Sequence, residues 1–258
     1  MSLRVVNAIR YISSLREGGS LPALVEAEDG GRFVVKLRGA GQGALALVAE
    51  VFAGEMARVL GLPVPEIALL NLDPAFGRQE PDPEIQDLFK GSRGLNVGLA
   101  FLPEATAFDP ASGDVASSAV ASGTVWLDAF TLNIDRTPRN ANLLVCREKV
   151  WLIDHGAALY FHHHWPGAEE KIASPFAAIR QHILLPWATD VATAGAEARA
   201  RLTRAKLERI VGLVPGEWLV REGEEATPEE RRAAYLRFFT ERLRQAAVFE
   251  EEIARARA

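Results

Sequence analysis

The sequence predicts an α+β protein of two lobes, a β-rich first hundred residues and a helix-rich remainder. Three observations carry that expectation. Up to residue 70, short apolar runs alternate with glycine-bearing turns, the mark of antiparallel strands. From about residue 114 the apolar residues recur three and four apart, the period of amphipathic helices. The chain has 258 residues, 48% of them apolar and 24% charged, enough to bury a sizeable core in one large domain or two lobes. The expected division is residues 1–103 and 104–258.

Residues 4–12 read as a first strand, Gly18-Gly19-Ser20 as a turn and residues 21–27 as a second strand. Asp29-Gly30-Gly31 is a hairpin signal, followed by the strand residues Phe33, Val34, Val35, Lys36 and Leu37. A helix is expected after Gly43, with Leu47, Val51, Met56 and Leu60 on one face and Gly61, Pro63 and Pro65 ending it. Residues 67–70 and 95–102 read as strands, with a short helix over 83–90. A helix over 115–132 then leads to two apolar runs, 142–146 and 150–153, separated by Arg147-Glu148-Lys149 as in a tight hairpin. Helical segments near 174–184 and 196–214 precede one long final helix that starts at Thr227-Pro228-Glu229-Glu230, a cap, a first-turn proline and acids facing the dipole.

A net charge of −5 gives no electrostatic reason to expect nucleic acid as a partner. The single cysteine, Cys146, excludes an internal disulfide framework and four-cysteine zinc sites; it reads as a buried strand residue. The first residues lack the apolar core of a signal peptide. No apolar run approaches the roughly 18 residues of a membrane span, so a cytoplasmic protein is expected.

The chemistry gathers at the end of the helix over 115–132. Asp135 and Asn140 stand five residues apart, and Asp154 follows fourteen residues later, closing an apolar strand before His155-Gly156. Phosphoryl transfer needs one carboxylate to orient the attacking hydroxyl, and a second carboxylate with an amide oxygen to hold Mg²⁺. The order and spacing match a kinase catalytic loop and metal loop. Such a site also wants a lysine on the third strand, here Lys36, to grip the ATP phosphates, and a glutamate on the next helix to hold it. Glu50 is the chosen partner, with Glu55 a turn further on. Gly18, Gly19 and Ser20 stand where a phosphate-covering loop would place its backbone N–H groups, and an ordinary hairpin turn reads equally well there.

These motifs resemble the HipA-like kinases, specifically their small single-domain bacterial group. The resemblance rests on residues 16–43, LGLPVPE (60–66), PEIQDLF (83–89), GLNVGLAFLPEA (94–105), NIDRTPRNANLLV (133–145) and LIDHGAAL (152–159). It implies a protein-kinase-like fold, similar also to phosphoinositide kinases, that binds ATP and Mg²⁺ and transfers phosphate to a hydroxyl-bearing substrate, a protein Ser/Thr or a small molecule. By that analogy Lys36 binds ATP phosphates, Asp135 is the catalytic acid, and Asn140 and Asp154 bind metal. Phe101, Leu102 and Glu104 belong to the hinge whose backbone faces adenine. Two positions depart from the protein-kinase pattern: Asn133 or Ile134 replaces the His of His-Arg-Asp, and His155 replaces the Phe of Asp-Phe-Gly.

Three other readings compete. A pseudokinase would keep the fold and a binding role without turnover. Gly39-Ala40-Gly41-Gln42-Gly43-Ala44 fits a dinucleotide fingerprint, although the strand before it carries Lys36 and Arg38. His162-His163-His164 suggests a metal, but neighbouring histidines point different ways, so a structural or substrate-side role is expected.

Overall fold

The computed structural model describes residues 2–15, 22–41, 43–78, 80–220 and 223–258. The Gly18-Gly19-Ser20 turn lies outside the described residues. The chain forms two compact units, Met1–Leu47 with Pro65–Pro103, and Val48–Val64 with Glu104–Ala258.

The first unit is a closed five-stranded barrel in the order β1-β2-β3-β5-β4. Its strands are β1 (Arg4–Ser14), β2 (Ala23–Ala27), β3 (Arg32–Lys36), β4 (Ile67–Leu72) and β5 (Gly94–Ala100). Closure comes from a parallel pairing of β1 with β4, while the other neighbours are antiparallel. Alternation sends Val25, Phe33, Val35 and Leu70 into the interior. Helix α2 (Pro83–Gly91) adds Phe89, packed edge-on against Tyr11 and Phe76. Gly98 is required here, because a Cβ on it would come within 2.6 Å of Leu70 Cδ1.

Gly39, after β3, serves packing. Gly39 N–H donates to Ser92 Oγ at 2.9 Å, and a Cβ on Gly39 would lie 3.0 Å from the Gly91 backbone. The dinucleotide reading is corrected at this point. Its βαβ unit pairs strands in parallel, whereas β3 is antiparallel to both of its neighbours.

Helix α1 (Ala44–Leu60) contributes all but its first turn to the second unit. There Phe52 packs edge-on against Tyr235 and Phe239 of α6 (Pro228–Arg244). Helix α3 (Ser118–Thr131) starts where Ser117 Oγ accepts the Val120 N–H, three residues later than its apolar pattern suggests. Trp126 and Phe130 of α3 stack together, and Phe249 of α7 (Ala247–Arg257) packs against Trp126. Buried Arg242 binds the Ala129 and Phe130 carbonyls at the end of α3, and those of Lys171, Ile172 and Ser174. Burial pushes its pKa down to about 9, so it stays charged at neutral pH. A small antiparallel sheet, β6 (Thr106–Ala107), β7 (Leu143–Cys146) and β8 (Lys149–Leu152), stands beside these helices in the sequence of the unit.

Several expected elements take a different form. The final helix is two, α6 and α7, with Gln245 capping the first. Nothing at Gln245-Ala246 breaks a helix by propensity, so tertiary packing around Phe249 overrides it. Over 174–184 only a 3₁₀ turn forms, Ala177–Gln181, because Pro175 and Pro186 bracket the segment and Phe176 has φ of 60°. The expected 196–214 helix is α4 (Val191–Arg201) and α5 (Arg204–Val211), separated where Thr203 caps the second. Among the described residues, no helix is long and apolar enough to cross a membrane.

Candidate active site

Helix α3 delivers a carboxylate into the second unit's interior. Asp128 is fully buried amid Leu127, Ala129 and Phe130. It accepts hydrogen bonds from Arg136 Nε at 2.6 Å, His182 Nε2 at 2.9 Å and Asn133 Nδ2 at 3.0 Å. Burial pushes its carboxyl up, but the Arg136 charge and the His182 and Arg136 hydrogen bonds more than offset this and hold it well below the usual range. Burial in turn lowers the His182 pKa against the pull of Asp128, with the Arg136 charge adding to the lowering. His182 is therefore neutral, with the proton on Nε2, since its Nδ1 accepts the Leu184 N–H at 3.0 Å.

Beyond α3 the chain turns through Leu132, at φ of 57°, into the loop that holds Asp135. Asp135 is half-buried. Its Oδ2 accepts from Asn140 Nδ2 at 2.8 Å and Asn142 Nδ2 at 3.2 Å. A Thr137–Asn140 bridge closes the loop between them. Asn140 donates through its amide nitrogen, so its side-chain oxygen is the atom able to accept or ligate.

Arg136 ties this loop to the next. Its guanidinium is buried, and Nη1 donates to the Asn142 carbonyl and, at 3.3 Å, to the Ile153 carbonyl. Ile153 directly precedes Asp154, which is half-buried with φ of 54°. On the far side of Asp154, the His155 N–H donates to Glu50 Oε2 at 2.7 Å, and His155 Nδ1 lies 3.3 Å from Glu50 Oε1. Glu50 is fully buried, whereas Glu55 makes a local pair with Arg58 at 3.0 Å. Asp154 thus sits between two anchored residues.

The remaining candidates belong to other elements. Lys36 ends β3, opposite Val97, on the barrel face away from Val35 and Leu37. Phe101 N–H donates to Arg32 O at 2.9 Å, Leu102 follows it, and Glu104 takes φ of 62° where the second unit resumes. Cys146 is a buried thiol. His162 is a core residue, its Nδ1 2.8 Å from the Tyr235 hydroxyl. Among the described residues, no three His, Cys, Asp or Glu side chains gather as a metal cage.

Spacing alone did not reveal Asn142, Asp128 or His182. Asp128 carries a signal in hindsight, a carboxylate inside the apolar run of residues 126–130. His182, 54 positions from Asp128, carries none.

The chain has a mixed helix-and-strand fold. The crystal structure of the proinflammatory kinase CtkA of Helicobacter pylori superposes with a TM-score of 0.60 at 12% identity, covering 98% of each chain; at that identity the likeness is one of fold. No curated protein matches. The HipA-like kinase family matches residues 8–251. The chain belongs to the HipA-like kinase family, and with it to the kinase-type phosphotransferases.

Proposed function

We propose that the protein transfers the γ-phosphoryl of ATP to a hydroxyl-bearing acceptor, with Mg²⁺ and in the cytoplasm. The observation that carries this reading is the Arg136 clamp. One buried guanidinium ties the Asp135 loop to the carbonyls of Asn142 and Ile153, so residues spread from 135 to 154 share one scaffold.

Mg·ATP supplies the phosphoryl group and the charge that neutralises it. Asp135 orients the acceptor hydroxyl. Two amide donors on Oδ2 fix its rotamer and leave Oδ1 for the incoming O–H. Asn140 and Asp154 offer the oxygen ligands that suit Mg²⁺. Glu50 holds the loop after Asp154 through the His155 N–H. By the family resemblance Lys36 grips the ATP phosphates, Glu50 is the glutamate assigned to hold that lysine, and residues 101–104 meet the adenine.

Intact-mass spectrometry after incubation with Mg²⁺ and ATP tests this. Wild type is expected to gain phosphate units, and Asp135→Ala to slow the gain by roughly 10²–10⁴-fold while Mg·ATP still raises its melting temperature. Asp154→Ala is expected to lose that thermal shift as well. Undiminished activity in both variants sinks the assignment, and AMP-sized additions replace the reaction with nucleotidyl transfer.

A further inference from the structure

The loop between Asp135 and Asn140 forms one wall of a second feature. Pro138 lines an open depression of about 450 Å³ together with Arg180, Ile183, Leu185, Pro186 and Arg257. Pro138 is exposed, as is the next residue, Arg139.

The far wall is locked to the catalytic loop. The Ile183 N–H donates to the Arg136 carbonyl at 3.1 Å, and His182 and Arg136 share the Asp128 carboxylate. A chain seated in this depression is therefore held in fixed register with Asp135, the condition for effective positioning.

The rim is cationic in a chain whose net charge is −5. Buried Glu252 is matched twice over, by Arg180 at 2.8 Å and Arg255 at 3.1 Å. Arg180 keeps 60% of its side chain exposed, and Arg257 adds a further exposed charge. The floor between these charges is apolar, from Ile183 and Leu185. Charged rim and apolar floor together suit a peptide that carries an acid beside an apolar side chain.

Building on the phosphoryl-transfer reading above, we infer that this depression docks the acceptor, an extended peptide with acidic residues three or four positions from the accepting hydroxyl. The register follows from reach. Pro138 is three residues from Asp135 and so at most about 11 Å away, a span that three extended residues of a bound peptide also cover from the accepting hydroxyl to the edge of the depression.

The test uses the full chain and two fluorescent 11-residue peptide pools with a central serine. One pool carries Asp or Glu, the other Lys or Arg, at the positions three and four from that serine. Binding is read by anisotropy, phosphate incorporation by mass, and Mg·ATP stabilisation by melting temperature. Wild type is expected to bind the acidic pool roughly fivefold more tightly and to phosphorylate it preferentially. Arg257→Glu should equalise the pools, and Arg180→Gln, which avoids a reversed charge against Glu252, should narrow the gap; Arg237→Glu on α6 should keep it. Equal binding of both pools by wild type, or a preference that neither rim variant changes, overturns the docking site while leaving ATP stabilisation intact. Tight binding to phosphoinositide vesicles without peptide preference overturns it in favour of a lipid head group. Loss of ATP stabilisation in wild type instead overturns the phosphoryl-transfer reading, and the acceptor assignment with it.

Discussion

Asp128 is a negative charge with no access to water, and it survives because three donors converge on it. Removing one partner of a buried pair strands the other. Asp128→Ala is thus expected to cost about 3–5 kcal/mol, read by urea unfolding, and to depress turnover through Arg136. Acid should reveal the same residue. Its folded pKa is depressed, so its contribution is present above the ordinary carboxylate pKa and lost as pH falls through and below about 4. His182, also depressed, adds a loss that starts as pH falls below about 6.5. Asp128→Asn should flatten the acid branch in a melting-temperature profile from pH 3 to 8. Asp135, Asn140 and Asp154 stand out in the sequence because kinase chemistry calls for that order and spacing along the chain. His182 does not, because its meeting with Asp128 exists only in three dimensions.

At the level of elements, strands and turns were written plainly. Period-two alternation located each barrel strand to within a few residues, and Lys36 fell on the third. What the alternation did not encode was closure, since the parallel β1–β4 pair has no turn between its strands to announce it. The β7–β8 hairpin shows local chemistry yielding to context. Its two-residue loop, Arg147-Glu148, holds φ of 50° and 60°, a conformation that suits Asn-Gly. Left-handed backbone costs roughly 1–2 kcal/mol for an ordinary residue. Replacing the pair by Asn-Gly is expected to raise the melting temperature by several degrees, measured by calorimetry; an unchanged or lowered value counts against the strain. The loop and β7 carry Cys146 but none of the site residues, so activity should be kept.

At the level of the molecule, neither unit is continuous. The second takes Val48–Val64 from the middle of the first, and that piece brings Glu50 to the His155 N–H and Phe52 to Tyr235. Cutting at the division expected from sequence, 1–103 against 104–258, separates these partners. The fragment 104–258 alone is expected to lose near-ultraviolet circular dichroism and cooperative unfolding, and adding a 44–64 peptide should restore part of both. Composition announced the β-rich and helix-rich halves. The exchange of α1 between them was hidden, because its face pattern says that it is buried but not by which residues. The same exchange sets a clock during synthesis. His155 leaves the ribosome 105 residues after Glu50, roughly 5–20 s at ordinary elongation rates. Through that interval Val51, Phe52 and Met56 have no second unit to cover them, so the nascent chain is a client for chaperones until its own catalytic half arrives.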